Sequence, residues 1–182
     1  MGYEDETWWS RFERPNLHAW AGEPGLRLHQ LEKARADPDP KALCCYGLLR
    51  QDSGPLLLRF VDGRPVSAVT LDFLDWICGR LAAEGKRVWV LVWDNASWHK
   101  SQKVRGWIKD HNRIVKLEGG VRILSWRLPI KSPWLNPIEP HWVHGKRAVV
   151  EPDRPLRADE VITRVCDYFG CEHYEHLKQH LS

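Results

Sequence analysis

The clearest candidate for chemistry is a carboxylate that directly follows the most apolar segment of the chain. Six apolar residues, Val88 to Trp93, predict a strand that is buried on both faces, and Asp94 comes next. In open α/β sheets such a strand end faces the ligand crevice. Two further candidates are Glu139, near the predicted start of a helix that should reach the same sheet edge, and Asp5, in the N-terminal segment. Carboxylate oxygens are ligands that Mg²⁺ prefers, and paired divalent ions can promote phosphoryl transfer.

Two of these carboxylates also have a structural interpretation. Asp94 could simply end its strand in an Asx turn with Asn95. Asn136, Pro137 and Glu139 fit the N-cap, N1 and N3 positions of a helix with a capping box, which needs no metal. Neither motif taken singly therefore separates catalysis from local capping.

The N-terminal segment has three acidic residues in a row, and the pattern does not decide which of them would be a metal ligand. Asp5 lies between Glu4 and Glu6, so any of the three could be the ligand, or the segment could be a solvated acidic terminus. A strand that ends at Asp5 would need more residues upstream than positions 1–3 supply. We therefore expect the chain to begin inside that strand.

The composition indicates a single domain, with no feature of a membrane or secreted protein. The 182 residues suffice for one domain with a substantial core. Lys and Arg number 27 against 24 Asp and Glu, and this net charge of +3 suits nucleic acid without requiring it. No apolar run is long enough for a membrane span, and no signal peptide is recognisable, so we expect a cytoplasmic protein. Of the 11 tryptophans, most should be core, and a few could stack on bases.

Cysteine and histidine residues offer one alternative metal site. The five cysteines contain no CxxC pair, which favours reduced thiols. Cys166, Cys171, His173 and His176 could still be assembled into a zinc site. Cys166, however, belongs to an apolar helical stripe, and the histidines suit the polar surface of a helix, so packing is the preferred interpretation. No serine or cysteine has the context of a nucleophile elbow, which argues against a covalent hydrolase.

The hydrophobic patterns predict an α/β sheet that opens with an antiparallel meander. Apolar runs flank a short turn at residues 51–54, which predicts a hairpin. Thr70 predicts the N-cap of the first helix. Together with the acidic segment, the patterns predict a five-stranded mixed sheet whose first three strands are antiparallel, flanked by helices. The whole chain, 1–182, is expected to be one domain, with a loop excursion at 22–41 and C-terminal helices at 151–182.

The motifs around the three carboxylates resemble those of mariner-like insertion-sequence transposases. One motif, Asp-Asn-Ala-Ser-Trp-His, begins at Asp94. A second, Leu-Asn-Pro-Ile-Glu, ends at Glu139 and follows a Leu-Pro and a Ser-Pro pair, with Trp142 after it. Asp5-Glu6, followed by an aromatic stretch, is similar to the first acidic motif of that family. The three motifs occur in the family's order over most of the chain.

The resemblance implies a ribonuclease H-like fold and a metal-dependent DDE endonuclease and strand transferase. Asp5, Asp94 and Glu139 take the catalytic and metal-ligand roles, with Mg²⁺ as the ion and Mn²⁺ able to substitute. The partner would be DNA, both transposon ends and target, bound by a homodimer in the bacterial cytosol or nucleoid, with no small-molecule substrate. Site-shaping positions are Asn95, His99 and Asn136, and candidate DNA contacts are Lys100, Lys103, Lys131, Lys146 and Arg147.

Several features depart from the family pattern and leave alternatives open. Trp134 stands where the family has a small, polar or acidic residue, and Pro140 follows Glu139 directly. The spacing from Asp94 to Glu139 is longer than usual, with an expected insertion at 114–120. We expect no helix-turn-helix region before Asp5, so end-specific binding should be lacking. An inactive or adopted remnant that binds DNA or protein, and a ribonuclease H-like nuclease, are the alternative functions.

Solvent exposure and packing are further alternatives for some of these residues. The basic residues that follow the Asp94 motif could form a solvated helix face: Lys100, Lys103, Arg105 and Lys109. His99 could equally be an ordinary capping or core histidine.

Overall fold

An open mixed sheet forms the centre of the computed structural model, which describes residues 1–12, 31–52, 54–150 and 154–178. Within these residues the strands are Gly2–Ser10 (β1), Ala42–Arg50 (β2), Leu57–Asp62 (β3), Val88–Trp93 (β4), Arg122–Arg127 (β5) and Leu177–Lys178 (β6). The helices are Ser67–Ala83 (α1), Gln102–Glu118 (α2), Glu139–Val149 (α3) and Ala158–Phe169 (α4), with a short 3-10 helix at Pro133–Leu135.

The strand order is β5-β4-β1-β2-β3-β6, so β1 and β4 are neighbours although they are far apart in sequence. The first three strands pair antiparallel, as predicted, and β4 and β5 run parallel to β1. The prediction of five strands was one too few, because β6 also pairs with β3. A strand of two residues is too short to produce a recognisable hydrophobic pattern.

The sheet has an apolar core on each face, because neighbouring residues of a strand point to opposite sides. On one face, α1 and α2 pack against side chains such as Tyr46 and Trp93. On the other face, α3 and α4 pack against Trp9 and Cys45. The adjacent residues of β1 therefore reach two different environments, which decides the roles of its three acidic residues.

Two local predictions need correction. Helix α1 begins at Ser67 rather than after Thr70, whose buried hydroxyl bonds instead with the Tyr46 hydroxyl, at 2.9 Å. Residues 114–120, which the sequence predicts to be an insertion, form the end of α2 and a turn with positive φ at Gly119 and Gly120. In the C-terminal region, residues 171–176 are not helical and lead into β6.

Part of the predicted loop excursion lies within the described residues. Residues 31–41 form neither helix nor strand, while the remainder of the predicted loop, 22–30, lies outside the described residues. The same holds for 151–153 and 179–182 of the C-terminal region. None of the described helices is both long enough and apolar enough to cross a membrane.

Candidate active site

Asp5, Asp94 and Glu139 line one cleft of about 420 Å³, beside the end of β4 and the start of α3. Strand β1 carries Asp5, Asp94 follows the last residue of β4, and Glu139 is the first residue of α3. The sequence prediction placed Asp5 at the end of its strand, but β1 continues for five residues beyond it, to Ser10. The cleft is lined by Asp5, Asp94, Asn95, Ala96, Lys100, Leu128, Pro129, Ile130, Lys131, Ser132, Pro133, Asn136 and Glu139.

The alternation of β1 distinguishes Asp5 from its two acidic neighbours. Asp5 lies on the face covered by α3, since the Trp142 indole N–H donates to its Oδ2 at 2.9 Å. Glu4 and Glu6 lie on the opposite face, where both carboxylates are within 3.4 Å of the buried His99 ring. Only Asp5 of the three lines the cleft.

A glycine in β2 creates the space for this contact. Gly47 is the register partner of Asp5, and a Cβ atom built on it would lie only 2.4 Å from the Trp142 ring. The indole therefore sits directly over the backbone of β2, with its N–H turned to Asp5. Sequence reasoning missed this role of Gly47, although a glycine inside an apolar strand commonly marks a close approach.

The Asp94 carboxylate is held by two donors. Its Oδ1 accepts hydrogen bonds from the Ala96 backbone N–H, at 2.7 Å, and from His99 Nδ1, at 2.8 Å. The first bond is an Asx turn, so the local interpretation and a position in the cleft hold together. Burial raises the pKa of Asp94, but the bonds from His99 and Ala96 outweigh it and keep the pKa below its ordinary value. The carboxylate is thus ionised and, with its side chain 48% exposed, accessible from the cleft.

Asn136 positions the start of α3 beside β1. The Asn136 side chain is buried, and its Nδ2 donates to the backbone oxygen of Glu4 at 3.2 Å. Its own backbone oxygen accepts from the Glu139 N–H at 3.1 Å. The predicted capping box is wrong: Ile138 is the N-cap residue, without a side-chain cap, and Glu139 begins the helix. Pro140 fits in the first turn because its missing N–H would have no intrahelical acceptor there.

Asn95 joins the strand end that carries Asp94 to the next strand. Its Nδ2 donates to the backbone oxygen of Leu128 at 2.6 Å, and the Leu128 N–H donates to the backbone oxygen of Trp93 at 2.8 Å. These contacts fix the wall of the cleft beside Asp94. The three site-shaping positions inferred from the sequence therefore all contact the cleft or its supporting residues.

The electrostatics of the cleft favour a cation. Burial, followed by the charges of Glu139 and Glu6, raises the pKa of Asp5 to about 7. Several carboxylates that approach one another in a partly buried cleft repel, and a bound cation removes that repulsion. No cysteine or histidine lines the described cleft, so its donor set is the oxygen-rich set of a hard ion.

The raised pKa of Asp5 predicts a pH dependence of stability. An acid whose pKa is higher in the folded than in the unfolded state makes the free energy of unfolding fall as pH rises from about 4 to about 7. Without divalent ions, we expect Asp5→Asn to remove this part of the decline, so that the variant gains most over the parent protein at pH 8. Moving a carboxyl pKa from 3.8 to about 7 corresponds to at most about 4 kcal/mol. Thermal unfolding of both proteins at pH 5 and pH 8 measures how far the stability of each falls. Equal declines in the variant and the parent protein would contradict the prediction.

A second group of ligand-type side chains lies behind Asp94. Among the described residues, Glu4, Glu6 and His99 form the one group of three whose ligand atoms are all within 4.8 Å of one another. Burial lowers the pKa of His99, but Glu4, Asp94 and Glu6 outweigh this and raise it to about 11. Burial, together with Glu6, raises the pKa of Glu4 well above its usual range. A protonated His99 ring therefore occupies the centre of this group.

The candidate DNA contacts divide into two sets. Lys100 and Lys131 line the cleft. Lys103 in α2, together with Lys146 and Arg147 in the last turn of α3, is exposed but does not line it. The structure therefore brings two of the five predicted DNA contacts to the carboxylates.

The alternative zinc site is not formed by the described residues. Cys166 packs in the apolar core between the sheet and α3 and α4. His173 lies edge-on to the Phe60 ring, and His176 Nδ1 is 2.6 Å from Asp62 Oδ1. Packing and surface ion pairing account for these residues.

A family of known proteins matches most of this chain. The DDE superfamily endonuclease family matches residues 5–162, a range that includes all three cleft carboxylates. The chain belongs to this family. The resemblance inferred from the motifs is thus confirmed at the family level. A search of curated proteins finds none that matches this DDE superfamily endonuclease.

Solved structures show that the fold of this DDE superfamily endonuclease is shared with Mos1 transposase. The paired-end complex of Mos1 with the left transposon end is 16% identical over 94% of this chain, with a TM-score of 0.64. The Mos1 mariner paired-end complex with Mn is 16% identical over 94% of this chain, with a TM-score of 0.64. The complex with Mg is 19% identical over 92% of this chain, with a TM-score of 0.58. The ribonuclease H-like α/β fold expected from the sequence is therefore confirmed. This chain spans about half of the Mos1 chains, 48%, 48% and 47% respectively.

Proposed function

We propose that this chain is a transposase catalytic domain that cleaves DNA strands at transposon ends and joins the freed 3′ hydroxyl to target DNA. The observation that carries the proposal is the cleft in which Asp5, Asp94 and Glu139 meet. These residues come from two parallel neighbouring strands and a helix that Asn136 ties to one of them. Membership of the DDE superfamily endonucleases supports metal-dependent strand cleavage as the reaction class.

Asp5, Asp94 and Glu139 are the residues that would hold the divalent ions. Asp94, whose pKa lies below its ordinary value and whose side chain is partly exposed, would contribute a charged ligand from the end of β4. When bound, the ions activate the attacking oxygen and stabilise the departing one. Asp5, Asp94 and Glu139 contribute negative charge at fixed positions, and positioning supplies most of the acceleration in phosphoryl transfer. Mg²⁺ is the proposed ion, with Mn²⁺ as a substitute, because the donors are carboxylates.

The test is nicking of supercoiled plasmid DNA and the joining of a supplied 3′ hydroxyl end. We expect nicked and joined products with Mg²⁺ or Mn²⁺, none after chelation with EDTA, and none from Asp94→Asn. Cleavage of RNA–DNA hybrids without joining would favour the ribonuclease H-like alternative. Calorimetry that detects no Mn²⁺ binding would favour the remnant that only binds DNA or protein.

The rim of the cleft offers a surface for the DNA itself. Lys100 and Lys131 place positive charge beside the carboxylates, where phosphates must lie. Trp134, directly after the cleft residue Pro133, is 75% exposed. Exposed indole rings beside positive charge are stacking platforms for unpaired bases. We therefore propose that Trp134 stacks on a base next to the cleaved phosphate.

Replacing Trp134 tests this contact. We expect Trp134→Ala to weaken binding of an oligonucleotide with unpaired end bases by about 1–3 kcal/mol, which is roughly 5- to 150-fold in Kd. Trp134→Phe keeps an aromatic face and should recover most of the affinity, because stacking needs a ring rather than the indole N–H. Fluorescence anisotropy of a labelled oligonucleotide measures both. Equal affinities of the alanine variant and the parent protein would contradict the proposal.

Assembly and location follow from the same proposal. The paired-end complexes of Mos1 suggest that two copies of this chain act on two DNA ends, which sedimentation of the chain with end-containing DNA can measure. A sedimentation coefficient that corresponds to one copy of the chain per pair of DNA ends would contradict the dimer. Action on chromosomal DNA would place the protein at the nucleoid.

A further inference from the structure

We propose that Glu6 is a positioning residue of this active site: acting through His99, it fixes the orientation of the Asp94 carboxylate. The inference rests on the proposed function, since the orientation of Asp94 matters for binding a metal ion. Glu6 is one of the two acidic residues of β1 that face away from the cleft.

The His99 ring is held by carboxylates at both nitrogens. Its Nδ1 lies 2.8 Å from Asp94 Oδ1, and its Nε2 lies 3.0 Å from Glu6 Oε1. The residue is 1% exposed, and the ring stacks on Trp93 with centroids 4.5 Å apart and planes 19° apart. Because carboxylates only accept, both nitrogens donate. Rotation of the ring would break both hydrogen bonds at once, so the position of Glu6 sets the direction of the Nδ1–H bond to Asp94.

Glu6 is itself well anchored. Its side chain is 6% exposed, and Oε1 also accepts a hydrogen bond from the Trp98 indole N–H at 2.7 Å. Its backbone pairs with Tyr46 in the middle of the β1–β2 ladder. A carboxylate fixed in this way is a rigid end point for the chain of contacts, not a flexible surface charge.

Glu4 contacts the same nitrogen differently. Its carboxylate is fully buried, with Oε2 3.4 Å from His99 Nε2, and neither oxygen has a hydrogen-bond partner among the described residues. Glu4 thus lies near the ring without a hydrogen bond to it, whereas Glu6 makes the directional bond. The directional contact is the one that can orient the imidazole.

The consequence reaches the cleft through Asp94 Oδ1. The His99 ring and the Ala96 N–H both donate to that oxygen, which leaves Oδ2 for a ligand in the cleft. Asp5 and Glu6 are neighbours on β1, so one strand places a cleft carboxylate on one face and the support for Asp94 on the other. Such supporting hydrogen bonds commonly change metal affinity by 10- to 100-fold when removed, as an order of magnitude.

The experiment is a double-mutant cycle on Mn²⁺ affinity, measured by calorimetry on the full chain. We expect Glu6→Gln and His99→Gln each to raise the Mn²⁺ Kd by about tenfold or more. The double variant should bind Mn²⁺ no more weakly than the single variant with the larger loss of affinity, because both residues act through the same contact. Glu118→Gln, an exposed residue at the end of α2, is the matched control and should bind as the parent protein does. An unchanged Kd for Glu6→Gln, or strictly additive losses, would overturn the proposal.

Nitrogen NMR of the histidine side chains separates this inference from the proposed function. If Glu6 acts through the ring, Glu6→Gln must shift the His99 Nδ1 signal, which belongs to the atom bonded to Asp94. A parent protein that binds no Mn²⁺ would refute the metal site. The Nδ1 signal would still test whether Glu6 acts on Asp94 through His99, and an Nδ1 signal that does not shift in Glu6→Gln would overturn that inference. If thermal unfolding shows that Glu6→Gln does not fold, Trp98→Phe removes the indole donor to Glu6 and keeps an aromatic ring beside His99. The same Nδ1 shift, in smaller measure, is then expected.

Discussion

Replacing Asp94 by asparagine is expected to reduce plasmid nicking by a factor of about 10³ or more and to abolish measurable Mn²⁺ binding. The substitution removes the ionised carboxylate from the cleft, and with it several kcal/mol of charge stabilisation, each 1.36 kcal/mol of which is about tenfold in rate. The amide oxygen can still accept the Ala96 N–H, so the Asx turn persists. The loss should therefore be one of metal binding and not of folding.

Two measurements make this result decisive. Thermal unfolding without divalent ions should give one cooperative transition for Asp94→Asn, at a midpoint lowered only by the weaker hydrogen bond to His99, since the turn and the strand are retained. Calorimetric titration with Mn²⁺ should show heat for the parent protein alone. Nicking by the variant at the parent rate, in a preparation free of contaminating nuclease, would remove Asp94 from the metal site.

Replacing Gly47 by alanine is expected to lower both stability and metal affinity. The new Cβ would lie 2.4 Å and 2.7 Å from two atoms of the Trp142 ring. That ring cannot move aside easily because it is buried and packs edge-on against Trp9 and Phe169, at centroid distances of 6.0 Å and 5.8 Å. Overpacking of this kind costs about 1–3 kcal/mol in the free energy of unfolding. Displacement of the indole would also take the N–H donor away from Asp5.

A second glycine provides the matched control for Gly47. A Cβ at Gly79, inside α1, would meet no atom within 4 Å, so Gly79→Ala should raise the free energy of unfolding by about 0.5–1 kcal/mol. Urea unfolding gives both changes, and Mn²⁺ calorimetry gives the affinity. A Gly47→Ala protein as stable as the parent, with the same Mn²⁺ Kd, would show that Trp142 does not hold Asp5.

The strength of local patterns explains which parts of the fold were predictable. The apolar run of β4 and the apolar helical stripe that includes Cys166, in α4, are signals within one segment, and they located these elements. Strand β6 has two residues and no such signal. The start of α1 was misplaced because Thr70, a good N-cap residue type, bonds to Tyr46 in the core instead. Tertiary contacts override local preference in such cases.

The candidate site shows the same division. Asp94 and Glu139 each lie in a compact motif, so their residue types and neighbours indicate a place in the site from the sequence alone. The periodicity of β1 requires Asp5 to face away from Glu4 and Glu6, but it does not reveal which face carries the cleft. That choice is made by α3, whose Trp142 reaches Asp5 across 137 residues of sequence.

The sequence by itself determined the α/β class, the antiparallel opening of the sheet and the carboxylates whose motifs identify the family. The tertiary structure alone decided that Asp5 is the acidic residue of β1 in the cleft, that Gly47 makes room for Trp142, and that Glu6 meets His99. The physical reason is the range of the interactions. Periodicity and capping act within a few residues, whereas the Glu6–His99 contact joins positions 93 residues apart and exists only once β1 lies beside β4.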